Sequence, residues 1–356
     1  MLSFIREKSV WNRLQSESRP IVLYGMGDGA EKILRVCKER GISVSGVFAS
    51  DEFVRGQVFC GYPVRTLSQT EAVFGDIVIL LAFGSFLPEV MERIISISEA
   101  HTLYAPDVPL FGGGLWDEGY LETHEDEIGK AYSLLADEQS RVTFADVLNY
   151  RLSGKLSYLS HCETEREEMY RLLQIGAQED YFDLGAYDGD TVREFLSFTK
   201  GHFRSVTAVE PDPKNRKKLL RKCPQFLSDS RFALVEAGVW HEDGKMAFDN
   251  AAGRNSALSP EGKILTPVLS LDSIVGERDC SFIKMDVEGA EREALLGGSR
   301  TLRDQRPQLL FSAYHKTEDI YSLPLLLHAL QPQYRIYFRH QPYFPAWETN
   351  FCASSR

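Results

Sequence analysis

Apolar residues fall into short runs separated by polar or helix-spaced stretches along most of the chain. Ile21-Val22-Leu23-Tyr24 reads as a short buried strand that runs into Gly25-Met26-Gly27-Asp28-Gly29-Ala30 and then a helix from Glu31 to Arg40. Val44 to Ala49 predicts a second strand, followed by Asp51. Asp76 to Phe83 predicts another, with a helix from Pro88 to Ser98 and a last short strand at His101 to Tyr104. Strands alternating with helices imply a parallel sheet. After Phe111-Gly112-Gly113-Gly114 the chain turns acidic. Ala131, Leu134 and Leu135, then Phe144, Val147, Leu148 and Leu152, recur at helix spacing. This stretch is too apolar for a free linker and is read as helices that connect two domains. Seven strand candidates follow, at 180–184, 205–210, 232–237, 281–286, 308–313, 334–338 and 347–353. The last two are joined by the Pro-rich Gln341-Pro342-Tyr343-Phe344-Pro345, which suggests a hairpin at the end of an otherwise parallel sheet.

Composition narrows the class. The 356 residues are 43% hydrophobic and 26% charged, so two cores are possible without disulfide support. The six cysteines are scattered with no Cys-x-x-Cys pair, which argues against a zinc knuckle and favours free thiols in a reducing compartment. A net charge of −11 disfavours nucleic acid or an anionic membrane as partner. The basic run Lys214-Asn215-Arg216-Lys217-Lys218, continuing to Arg221 and Lys222, reads as a solvated helix face. The N-terminal residues lack the apolar stretch of a signal peptide. The longest apolar run, Ile77 to Phe83, has seven residues, whereas a membrane span needs about 20. A cytoplasmic protein with no membrane span is expected.

The most informative stretch is Tyr181 to Leu196. A strand stops at Gly185-Ala186-Tyr187-Asp188-Gly189, and a helix starts near Thr191. Glycines let the backbone approach a ligand closely, and a helix N-terminus offers free N–H groups. Asp183, Asp188 and Asp190 would repel a polyanion but suit a ligand with an ammonium group and hydroxyls. S-adenosylmethionine (SAM) has both, and a positive sulfonium. The next strand ends in Glu210, whose two carboxylate oxygens can take both hydroxyls of a ribose.

Asp183-x-Gly185-Ala186-x-Asp188-Gly189 with Glu210 resembles the SAM-binding signature of class I methyltransferases. Ile283-Lys284-Met285-Asp286-Val287-Glu288-Gly289-Ala290-Glu291, with Leu269-Ser270-Leu271-Asp272 before it and Leu295-Leu296-Gly297-Gly298 after it, narrows the resemblance to the FkbM family over residues 165 to 356. The resemblance implies an α/β fold with a Rossmann-like sheet of seven strands, the last antiparallel. The domain reading is then an N-terminal Rossmann-like domain at 1–106, a helical connecting segment at 107–175 and a methyltransferase domain at 176–356. It also implies a SAM-dependent O-methyltransferase acting on a hydroxyl of a sugar, glycan precursor or other secondary metabolite.

Ligands in such sheets sit outside the carboxyl ends of the strands. Gly185 and Gly189 would let the backbone approach the methionine part of SAM, with Ala186 and Thr191 in the same turn. Asp183 or Asp188 would order the amino group. Glu210 would hold the ribose, Asp212 would assist near the adenine, and Ala237 and Gly238 follow the third strand. An alcohol acceptor has to lose a proton during attack, so a base must stand beside it. His315 and Asp286 are the candidates, with Glu288 beside them; His315 is otherwise an ordinary polar residue at a strand end. Asp286 and Glu288 can instead shape the turn, cap the following helix or bind a divalent cation. Two carboxylates are too few to argue a metal site, so none is assigned. Lys284 reads as structural, pairing an acid. Asn255-Ser256, in the loop Ala251 to Gly262, is either an acceptor contact or a surface excursion.

The N-terminal Gly25-x-Gly27-x-x-Ala30, with Asp51 after the next strand, fits a dinucleotide fingerprint with Ala in the last place. Gly46 to Asp51 and Gly61-Tyr62-Pro63-Val64 resemble the small Rossmann-like domain found beside sugar-modifying transferases. An acceptor-recognition or scaffold role is ranked first there, nucleotide-sugar binding second and NAD binding third. The competing class is an NAD(P)- or nucleotide-sugar-binding oxidoreductase or sugar-modifying protein acting through this segment; a non-catalytic scaffold protein is the third.

Overall fold

A computed structural model describes residues 2–248 and 264–356. Asn255 and Ser256 lie outside the described residues. Contacts divide the chain into two compact units that do not follow chain order. One gathers Met1–Gly129, Arg141–Thr164 and His340–Glu348; the other gathers Lys130–Ser140, Glu165–Arg339 and Thr349–Arg356. Among the described residues no helix is long and apolar enough to cross a membrane.

The first unit holds a six-stranded sheet built from β1 (Ile21–Tyr24), β2 (Val44–Phe48), β3 (Val58–Phe59), β4 (Tyr62–Arg65), β5 (Val78–Leu81) and β6 (Thr102–Tyr104), in the order β3-β4-β2-β1-β5-β6. All neighbours run parallel except the β3/β4 hairpin. The central strands β1 and β5 are buried at every position, as a parallel sheet covered on both faces requires. Gly25 of the fingerprint and the neighbouring Gly29 serve packing, whereas Gly27, at φ +133°, has nothing within 4 Å of where a Cβ would stand. The Phe83 ring lies 2.6 Å from where a Cβ on Gly25 would stand, and the Ala82 carbonyl lies 2.6 Å from that of Gly29. Asp28 is paired with Lys32 at 2.9 Å. The Pro-rich stretch predicted near 341–345 also belongs here: Ser85 and Phe344 exchange two backbone hydrogen bonds of 2.8 and 3.0 Å, and Tyr343 and Trp347 pack over Gly84.

The second unit holds β7 (Asp180–Leu184), β8 (Ser205–Val209), β9 (Phe232–Val235), β10 (Gly238–Trp240), β11 (Gly244–Phe248), β12 (Ile264–Ser270), β13 (Phe282–Met285), β14 (Gln308–Ser312), β15 (Arg335–His340) and β16 (Thr349–Ser354). Seven of these form one sheet in the order β15-β16-β14-β13-β7-β8-β9. β7, β8, β9, β13 and β14 are parallel, and β16 runs antiparallel to β14, as expected. Chain order reverses between β7 and β13, the crevice where open α/β sheets bind ligands. Stacked aromatic rings anchor these strands, with Tyr181 and Phe282 at 4.9 Å.

A separate three-stranded sheet, β10-β12-β11, has no counterpart in the sequence reading, which ran one strand from 232 to 237. Its attachment explains two of the motifs. Gly297 leaves room for the Trp240 carbonyl, 2.3 Å from where a Cβ would lie, and Gly298 leaves room for Leu271 at 2.5 Å. Asp272 accepts hydrogen bonds from the Arg300 and Thr301 N–H groups at 3.0 and 2.8 Å, and so fixes the start of the helix Ser299–Asp304. Gly297→Ala is therefore expected to cost about 1–3 kcal/mol through overpacking. Gly244→Ala, with nothing nearer than Val268 at 4.0 Å, should stay within about 0.5 kcal/mol of the parent. Urea denaturation of both variants checks the contrast.

Candidate functional site

The turn after β7 is built around contacts that only glycine permits. Gly185 has φ +83°, and a Cβ there would fall 1.9 Å from the Asp286 carbonyl oxygen. Gly189, at φ +78°, starts the helix Asp190–Phe198 and leaves 2.8 Å to the Cys223 sulfur. The Gly185 and Ala186 N–H groups both donate to the Val209 carbonyl at 3.0 Å, tying the turn to β8. Asp183 is 0% exposed. Its Oδ2 accepts from the Thr191 hydroxyl at 2.5 Å, and its Oδ1 has no hydrogen-bond partner. Burial pushes its carboxyl up to about 6 against the pull of Lys284 and Thr191.

Glu210 stands at the end of β8, also buried. Its two oxygens accept the Tyr187 and Asp212 N–H groups, each at 2.8 Å. Burial again dominates and pushes it up to about 7. The Asn215 side chain also hydrogen-bonds this carboxyl, and its oxygens, which can each accept two donors, still have room for a further one. Other predicted residues are committed to the protein itself. Asp212 caps the helix Pro213–Lys222 by accepting from the Lys214 N–H at 2.7 Å. Asp188 pairs with Lys222 at 2.5 Å and Arg193 at 3.6 Å. Ala237 and Gly238 are buried where β9 passes into β10.

The basic run is not simply a solvated face. Arg216 pairs with Glu236 at 2.8 Å and donates to the Pro211 carbonyl at 2.6 Å, Lys218 lies over the Tyr187 ring, and Lys222 holds Asp188.

Beyond β13 and β14 the structure brings together Asp286, Glu288 and His315, which sequence placed at two strand ends. Glu288 and Gly289 adopt φ +53° and +91°, so the chain turns sharply after β13. His315 is 1% exposed. Its Nε2 lies 3.3 Å from Asp286 Oδ1 and 3.5 Å from Glu288 Oε2. Its Nδ1 lies 2.8 Å from Glu291 Oε1. Burial opposes charge on this ring, but Glu291, Asp286 and Glu288 outweigh it and push it up to about 10. Asp286 is held below its ordinary range: burial works against ionisation, and Lys284 and His315 overcome it. Lys284 reaches Asp286 Oδ2 at 3.3 Å, the acid pairing expected of it, and the Tyr314 hydroxyl lies at the same distance.

Glu291 is the participant whose part the sequence did not show. It is 0% exposed, accepts the Val287 N–H at 3.0 Å as well as His315, and leaves its Oε2 without a partner. Its only signal was its place in the Lys284-to-Glu291 motif.

Residues 183–345 match the methyltransferase FkbM domain family. The chain carries an FkbM methyltransferase domain. Its fold is similar to that of methyltransferase FkbM from Methylobacillus flagellatus KT, with a TM-score of 0.74 at 21% identity over 99% of this chain and 95% of that one. At that identity the likeness is one of fold. Precorrin-6y C5,15-methyltransferase from Geobacter metallireducens GS-15 aligns over 53% of this chain and 85% of its own, at 13% identity and TM-score 0.34. Aeropyrum pernix fibrillarin, solved with natively bound S-adenosyl-L-methionine, aligns over 53% and 74%, at 12% and 0.33. Neither of these two is similar enough to bear on function. No curated protein matches the chain.

Every candidate residue, from Asp183 to His315, falls within the part matched to the FkbM domain; the N-terminal fingerprint at Gly25 to Asp51 falls outside it. Within the FkbM domain the predicted residues divide in two. Asp183, Glu210, Asp286 and Glu288 keep oxygens or surface for a ligand, whereas Asp188 and Asp212 hold helices in place. Asp188→Asn should therefore lower thermal stability, and a double-mutant cycle with Lys222→Met should give a coupling of about 0.5–1 kcal/mol, because Lys222 is partly exposed.

Proposed function

We propose that this methyltransferase uses SAM and transfers the methyl group to a hydroxyl of a sugar, glycan precursor or secondary metabolite. The observation that carries the cofactor reading is Asp183: a wholly buried carboxylate at the end of β7 with one oxygen unpaired. Buried polar atoms are seldom left without a partner, and an ammonium group would satisfy this one. Glu210, one strand away, has acceptor capacity left for a ribose hydroxyl. The donor set therefore fits SAM, whose amino group and ribose hydroxyls need such acceptors. When bound, SAM supplies a methyl group already activated on its sulfonium.

The protein's remaining task is to orient the acceptor and take its proton. The groups able to reach it are Asp286 and Glu288, whose side chains are 26% and 33% exposed. His315 stands behind them with no surface of its own. The proton acceptor is thus Glu288, with Asp286 orienting the hydroxyl and His315 supporting both. Carboxylates on this rim favour a neutral polyol over a phosphorylated or acidic acceptor. The first unit serves as an acceptor-recognition or scaffold domain.

Asp183→Ala and Glu210→Ala should each reduce S-adenosylhomocysteine affinity to below detection by calorimetry; unchanged affinity in both removes the cofactor assignment. Because burial raises both carboxyls, acidification from pH 8 to pH 5.5 neutralises them in turn, Glu210 near 7 and Asp183 near 6. Affinity should fall along that path, since the cationic ligand needs the ionised forms. Glu288→Gln should lower kcat by about 10²-fold or more while sparing S-adenosylhomocysteine affinity; full turnover eliminates Glu288 as the proton acceptor.

A further inference from the structure

Among the described residues, Asp286, Glu291 and His315 each place one metal-ligating atom within 4.8 Å of the others. The sequence showed two carboxylates near β13. The fold adds an imidazole from beyond β14 and a third carboxylate from the helix Glu291–Gly297. We infer that Asp286, Glu291 and a ring nitrogen of His315 form a binding site for a divalent cation, beside Glu288.

Three observations carry this. The first is charge. Asp286, Glu288 and Glu291 crowd three carboxyl groups against a single ammonium, Lys284. A divalent cation offsets that crowding. Uncompensated charge inside a protein costs several kcal/mol, so the balance matters.

The second is Glu291 itself. It is wholly buried, its Oε1 lies 2.8 Å from the His315 ring, and its Oε2 has no hydrogen-bond partner. Oε1 thus faces the group, and the same carboxylate has a second oxygen to spare. The third is spacing. Metal–ligand bonds of about 2.1 Å at right angles put neighbouring ligand atoms about 3 Å apart. Glu291 Oε1 stands 2.8 Å from His315 Nδ1 and Asp286 Oδ1 stands 3.3 Å from Nε2, so each carboxylate lies at ligand spacing from a different ring nitrogen, and one ion would draw the second carboxylate toward the nitrogen it takes.

Lys284 occupies Asp286 Oδ2 and leaves Oδ1 toward the ring. The partial exposure of Asp286 gives an ion a way in and keeps positions open for an acceptor oxygen. One imidazole with carboxylates suits a cation such as Mn²⁺. On binding, the cation displaces any proton held by the ligating nitrogen. There it would hold the acceptor oxygen next to Glu288 and ease the loss of its proton.

The test is titration of the chelator-treated full chain with Mn²⁺, by calorimetry and by the electron paramagnetic resonance signal of free Mn²⁺. One ion per chain in the micromolar range is expected, weakened at least about tenfold by Asp286→Asn and by His315→Gln. Asp286→Asn changes a partly exposed side chain without changing its shape, so it serves even if His315→Gln does not fold. Absence of saturable binding up to about 1 mM overturns the site, and so does binding that Asp286→Asn leaves unaltered. S-adenosylhomocysteine calorimetry with and without chelator separates the two proposals. Cofactor binding without Mn²⁺ binding sinks the cation alone; Mn²⁺ binding without cofactor binding sinks the cofactor reading alone.

Discussion

The rim of the second sheet depends on one close contact, between the backbone of Gly185 and the carbonyl of Asp286. The Asp286 N–H donates to the Leu184 carbonyl at 2.9 Å, and the Asp286 carbonyl occupies the space a side chain on residue 185 would need. Two sequence motifs about a hundred residues apart are therefore a single object. The same pairing sets Lys284 opposite Asp183 in register, so one buried ammonium draws down the carboxyls of both Asp183 and Asp286. The turn that would face the donor and the turn that would face the acceptor are thus linked by backbone geometry and by a shared charge.

The motifs behind the family resemblance do not all carry chemistry. Leu269 to Asp272 and Leu295 to Gly298 dock the β10-β12-β11 sheet and start a helix. Gly185 mixes both functions, because the turn it permits also brings Asp286 to the rim. Asp188, an acid in the middle of the turn after β7, is taken up by two basic side chains. A motif match thus reports a shared fold as much as a shared reaction, and only the unpaired or accessible oxygens separate the two.

Much of this was legible in sequence. The seven main strands and the closing hairpin follow from short apolar runs between helical stretches. The strand-end rule selected Asp183, Glu210, Asp286, Glu288 and His315 without any contact information. What escaped had physical reasons. The β10-β12-β11 sheet was hidden because Phe232 to Ala237 runs into Gly238 with no turn signal, so two strands read as one. Glu291 opens a helix, where an acid is normally a solvated partner of the helix dipole; nothing local reveals that it is buried against an imidazole. Arg216 and Lys222 lie in a run of like charges, and their acidic partners Glu236 and Asp188 are distant in sequence.

The threading of the chain has a consequence for how the molecule is made. Residues 340–348 leave the second unit's last hairpin and pair with the loop after β5 of the first, so neither unit is a continuous stretch. No single cut releases one of them whole. A nascent chain emerging from the ribosome could form the β1-to-β6 sheet early, yet its contacts at Gly84 and Ser85 would stay open until Trp347 had been added. Completion of the first-made half waits on some of the last-made residues, which places long-range closure late in folding.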